Sequence, residues 1–151
     1  MSRSWANVAN ALQTKLIADA TLVSLVQHSS ANPAIGTSFP EAKSPKRLLA
    51  FQLFNARPIT GNVTQIKVMR IDILAFCVKK VQSIDIIDRI EYLFDNPGAS
   101  NADYYDFSDT NIKVFDSRTA LRLPEFFYKD FDRFGEGLRI TVRVDPYSTC
   151  P

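Results

Sequence analysis

Arg70-Ile71-Asp72-Ile73-Leu74-Ala75-Phe76-Cys77 puts Ile71, Ile73, Ala75 and Cys77 on one side of an extended chain and Arg70, Asp72, Leu74 and Phe76 on the other. Successive strand side chains point to opposite faces, so an apolar side opposite a mixed side marks a strand with one face turned to a core. The strand reads from Val63 to about Val78. Ahead of it, Leu48 to Ala56 is a second apolar run with Phe51, Leu53 and Phe54, and Arg57-Pro58-Ile59-Thr60-Gly61-Asn62 supplies turn residues between them. The pair predicts an antiparallel hairpin. The second strand exceeds the usual length of roughly five or six residues. Its first half, with Thr64, Gln65, Lys67 and Arg70, is polar, which predicts a hairpin tip projecting beyond the body.

After Lys79-Lys80 the period changes. Ser83 reads as the cap of a helix in which Ile84, Ile87, Ile90, Glu91 and Phe94 recur at helical spacing, with Asp85 and Asp88 early and Asn96-Pro97-Gly98 as the stop. On the other side of the hairpin, Trp5, Val8, Ala9, Leu12 and Leu16 line one face of a helix from about Ser4 to Ala18. Asp19 caps a short second helix carrying Leu22, Val23, Leu25 and Val26. His28 to Arg47, punctuated by Pro33, Gly36, Pro40 and Pro45, reads as a long loop. Asn96 to Asn111 is a second polar loop. Ile112 to Phe115 and Ala120 to Leu123 read as short strands or one interrupted strand, and Phe126 to Gly137 as an aromatic, charged connection. Leu138, Ile140, Val142 and Val144 alternate with Arg139, Thr141 and Arg143 in a final half-buried strand ended by Pro146. The order predicts one α+β domain: a mostly antiparallel sheet of about four strands with helices packed on one face.

Composition agrees with a folded domain. The chain has 151 residues, 46% hydrophobic and 23% charged, and its 11 Phe must go into a core or an interface. A net charge of +2 is far from the bias of a dedicated nucleic-acid binder. No apolar run reaches the roughly 18 residues of a membrane span, and the N-terminus turns directly into an amphipathic pattern, so a soluble chain that stays where it is made is expected. Of two cysteines, Cys77 lies in a strand and Cys150 is penultimate; a disulfide between them is not expected.

The residues offer little catalytic material. His28 is the sole histidine, at a helix end, where a dipole or solvent contact is the ordinary role. Asp130-Phe131-Asp132-Arg133-Phe134-Gly135 starts like a calcium loop, but Phe134 cannot ligate and Thr141 stands where a bidentate glutamate is required, so a turn is the better reading. Asp103, Asp106 and Asp109 alternate with Tyr104, Tyr105 and Phe107; without a nucleophile or scaffold nearby they fit a partner-contact loop, tyrosines being frequent at interfaces. Five glycines assemble no phosphate-cradling loop, and the basic residues Lys43, Lys46, Arg47, Lys79 and Lys80 read as solvated charge.

The opening Ala11-Leu12-Gln13-Thr14-Lys15-Leu16, then Asp19 and Leu22-Val23-Ser24-Leu25-Val26, then the Pro-rich loop, the hairpin, the Ile84/Ile87/Ile90 helix and the strand Leu138 to Val144 together resemble the tail-terminator (tail-completion) proteins of tailed bacteriophages. The likeness is one of order and pattern over most of the chain. Asn96 to Asn111 and Phe126 to Phe134 have no counterpart in it. It implies a non-enzymatic virion protein at the tail–neck junction, with no cofactor, forming a hexameric ring on the last tube ring. Its partners would be copies of itself, the tail tube protein and a neck or stopper protein, with DNA passing unread through the lumen. A heterologous interface closing into a ring would occupy the growing tube end. The contact residues expected are Arg57, Ile59, Thr60, Asn62, Thr64 and Gln65 at the hairpin tip, with Tyr104 and Tyr105. Other neck or tail ring components (stopper, collar, tube subunit), a small enzyme using the acidic loop, and a nucleic-acid-binding regulator are the competing readings.

Overall fold

The computed structural model describes residues 3–37, 40, 45–58, 66–95 and 104–145. In chain order the elements are α1 (Arg3–Ile17), α2 (Ala20–Val26), β1 (Ile35–Gly36), β2 (Arg47–Pro58), β3 (Lys67–Cys77), α3 (Lys80–Asp95), β4 (Lys113–Tyr128), a 3-10 turn (Lys129–Phe131) and β5 (Arg133–Asp145). The sheet has five strands in the order β1-β2-β3-β5-β4, one more than expected. The extra strand is the two-residue β1, which pairs parallel with Leu49 and Ala50; all other pairings are antiparallel. The fold is therefore α+β with a mixed sheet.

The alternation in β3 has the consequence expected of it. Met69, Ile71, Ile73, Ala75 and Cys77 join Leu49, Phe51 and Leu53 of β2 and Leu138, Ile140, Val142 and Val144 of β5 in one core beneath the helices. Val8, Leu12 and Leu16 of α1, Leu22 and Val26 of α2, and Ile86, Ile87, Ile90 and Phe94 of α3 close it from above. Each such aliphatic side chain stabilises by about 1.5–3 kcal/mol on burial. Asp19 is the cap of α2, its Oδ2 accepting from Leu22 N at 2.9 Å, and it also receives Arg89 Nη2 at 2.8 Å, which fastens α2 to α3.

Two expectations change, and an open alternative resolves toward one interrupted strand. Helix α3 begins at Lys80, not Ser83; Ser83 is buried in the first turn and its Oγ donates to the Lys80 carbonyl at 2.8 Å. The interrupted strand is one 16-residue β4, with register shifts at Val114/Asp116, Thr119/Leu121 and Leu123/Phe126. The aromatic connection Phe126 to Gly137 is the far end of a β4–β5 hairpin, closed by the 3-10 turn and by Asp132 at φ 50°. The expected projection of the β2–β3 hairpin rests on a tip that lies outside the described residues. The described part pairs as far as Pro58 with Lys67, and β5 flanks it there through Val144.

Candidate interaction surfaces

Among the described residues the helices cover one side of the sheet. On the other side the cross-strand rows divide into two zones. Toward the β4–β5 turn, Leu48, Ala50, Leu74 and Phe76 are buried with Leu123 and Tyr128 packed on them. This is possible because β5 carries Gly135 and Gly137 between them. A Cβ at Gly135 would stand 2.2 Å from the Phe126 ring, and one at Gly137 would stand 2.7 Å from both Leu123 and Leu74. Side chains of the edge strand β4 reach across those two gaps to β3, and Phe126 meets Phe76 edge-on at 5.6 Å.

Toward the other end the rows turn charged: Gln52–Asp72–Arg139–Leu121, then Phe54–Arg70–Thr141–Arg118, then Val68–Arg143–Asp116. Asp72 is buried at 6% exposure and held by Arg139 through Nε at 2.8 Å and Nη2 at 3.0 Å. Arg118 pairs with Asp116 at 2.9 Å and Arg70 lies over the Phe54 ring at 4.1 Å. The Arg143 side chain has no hydrogen bond or ion pair among the described residues, and with Arg118, Asp116, Thr141 and Val68 it lines a notch of about 310 Å³.

A third surface lies where β3 passes into α3. Val78 (40% exposed) and Val81 (66%) sit at this end, and Phe126, Phe127 and Phe134 are exposed around the β4–β5 turn. Phe127 and Phe134 contact each other edge-on at 5.0 Å. With Lys80, Glu125, Phe126 and Gly135 they line a shallow cleft of about 220 Å³, across which Lys80 Nζ and Glu125 Oε2 pair at 2.9 Å. Sequence reasoning missed this surface because Phe126 to Phe134 reads as a connection. The alternation of Gly135 and Gly137 within the strand was the signal that could have located it.

The expected contact residues fare differently. Ile59, Thr60, Asn62, Thr64 and Gln65 lie outside the described residues, and of Arg57 only the backbone, paired with Val68, is described. Tyr105 is a core residue instead of a contact: it is 6% exposed, its ring 4.7 Å from Phe94, and burial pushes its hydroxyl pKa upward. Tyr104 is half-buried and donates to the Val114 carbonyl at 3.0 Å. The acids beside them organise the loop. Asp106 accepts from Ser108 N at 2.9 Å, and Asp109 from Asn111 N at 2.7 Å and Ile112 N at 3.0 Å; Asp103 lies outside the described residues. Asp130 and Asp132 belong to the hairpin turn. His28 Nδ1 accepts from Ala34 N at 3.0 Å, closing the loop after α2. Cys77 is a buried thiol whose pKa desolvation pushes up to about 12, which leaves it unreactive at neutral pH. Among the described residues no three metal-ligating side chains gather, and no helix is long and apolar enough to cross a membrane.

No protein-family model matches the chain, and no curated protein matches it in sequence. The fold and surfaces define an α+β domain with helices on one side of a mixed sheet, a half-open sheet face and an aromatic end.

Proposed function

We propose that the chain is a non-enzymatic structural subunit of a tailed-bacteriophage virion, a tail-terminator protein that forms a ring capping the tail tube and receiving the neck. The observation that carries the assembly half of this reading is the aromatic end: Phe126, Phe127 and Phe134 are exposed and line one cleft. Contiguous exposed apolar surface marks a place where another protein sits, and aromatic residues are enriched there. The viral half rests on the order of elements described above. Copies of the chain meet through unlike surfaces and close into a hexamer, and the aromatic end docks the tube or the neck protein.

Light scattering on the purified protein tests the ring. The mass of a hexamer is expected, and a monomer at every concentration overturns it. Phe127→Ser with Phe134→Ser tests the aromatic end. The variant keeps its thermal midpoint and its ring, yet no longer stops tail tubes or joins heads to tails. Normal tails from a stably folded variant remove the aromatic end from the function.

A further inference from the structure

The uncovered sheet face and the exposed side of α3 are opposite in charge as well as in position. The charged zone of the sheet sets Arg70, Arg118, Arg139 and Arg143 against two carboxylates, Asp72 and Asp116, each already paired with an arginine. Among the described residues Arg70 and Arg143 are left as cations without a counter-ion. On α3, whose buried stripe Ile86, Ile87, Ile90 and Phe94 faces the sheet, the carboxylates Asp85, Asp88, Glu91 and Asp95 follow one another at spacings of three and four. That spacing puts them on one side of the helix. Asp85 has no partner among the described residues.

A separate observation concerns how the carboxylates of this side are met. Arg122 is the guanidinium that meets three carboxylates there: Asp88 at 2.8 Å, Glu91 at 3.2 Å and Glu136 at 3.4 Å. Glu136 is 9% exposed, and among the described residues its Oε2 and the Nε of Arg122 are buried with no hydrogen-bond partner. A buried carboxylate oxygen without a donor is costly, and a further cation nearby offsets that cost.

We propose that the arginine-bearing sheet face of one copy docks on the carboxylate side of α3 in a second copy, with Arg70 and Arg143 meeting Asp85 and Asp95. The occupant is a second copy of this chain because both halves of the charge complement lie on the same molecule, on different sides of it. Each copy then offers one face and receives the other, which is the heterologous contact a closed ring requires. The inference rests on the proposal that the chain self-assembles, and it deepens that proposal by naming the faces. Contacts between exposed charges weaken with salt, since the screening length falls from about 10 Å at 0.1 M to about 3 Å at 1 M.

The test uses two charge-reversed proteins: Arg70→Glu with Arg143→Glu, and Asp85→Lys with Asp95→Lys. All four positions are exposed, so both proteins keep a cooperative thermal transition near that of the parent. At the exchanged positions the first variant carries carboxylates on both faces and the second carries cations on both. Each alone is expected to be monomeric by light scattering at 0.1 M salt. Mixed in equal amounts they are expected to recover the parent's mass as an alternating ring, because at every contact the exchanged positions then meet their opposite charge. If the parent is monomeric throughout, the self-assembly reading fails together with the inference. If the parent assembles and either variant assembles equally well alone, the inference fails and self-assembly stands. Two monomeric variants that do not recover on mixing overturn the pairing of these faces. Should the arginine variant keep the parent's mass but lose retention of duplex DNA, the sheet face takes nucleic acid and the inference is wrong.

Discussion

Along β5 the side chains turned toward the helices, Leu138, Ile140, Val142 and Val144, are fully buried, while those on the opposite side run from Gly135 and Gly137 through Arg139 to Thr141 and Arg143. One strand thus meets two kinds of neighbour. On the helix side its partners are separate elements, so large aliphatic side chains fill the space between layers. On the other side the described residues form no second layer, and among them the strand is covered where glycine's missing side chain lets β4 lean across. A sheet face left without helices closes itself for half its length and carries charge for the rest.

The largest test of this contrast is Ile90→Ala, beneath the helices. Ile90 is fully buried in α3, and truncation is expected to cost about 2–5 kcal/mol in denaturant unfolding. A loss under about 0.5 kcal/mol would mean that the helix layer contributes no more than surface does.

Ile90 was also legible before any coordinates, as were Ile87 and Phe94, because a 3.6-residue period and a helix of this length leave few alternatives. The strand alternation of β3 and β5 was legible for the same reason. What was not legible follows from exceptions to periodicity. The three register shifts and Pro124 break the alternation of β4 into pieces that look like separate short strands. Gly135 and Gly137 fall within the stretch that reads as a connection, yet they lie in β5, where the close approach of Phe126 and Leu123 requires them. Tyr105 reads as loop because nothing local says that Phe94 lies above it. Of the candidate surface, the tyrosines proved to be structural and the aromatic end was hidden inside the misread connection.

A smaller effect is expected on the open side. Gly137→Val places a branched Cβ against Leu123 on one flank and Leu74 on the other, and should cost about 1–3 kcal/mol by forcing both off their rotamers. Quenching of that cost by a second change, Leu123→Ala, would show that the collision is with β4; an unchanged cost would place the strain in the backbone of β5.

The smallest effect returns to the helix side and depends on pH. The hydrogen bond from Arg89 holds the Asp19 carboxyl below its usual range, helped by the Leu22 N–H and opposed by burial. A depressed folded pKa contributes stability above the unfolded value of about 3.9 and loses it as pH falls through the folded value. Asp19→Asn preserves a good helix cap while removing the charge. It should therefore be about 1 kcal/mol less stable than the parent at neutral pH, a difference that shrinks below about pH 4. A gap that persists unchanged to pH 2 would assign the loss to the cap and not to the ion pair.

The irregular course of β4 bears on how safely many copies can be crowded together. It is the long outer strand of the sheet, and an outer strand with straight, unpaired backbone groups recruits further strands without limit, the beginning of amyloid-like growth. Three register shifts and Pro124 interrupt that row of donors and acceptors. Copies brought to high local concentration are thereby hindered from adding strand to strand, and any contact between them falls to side chains, whose number and arrangement are finite.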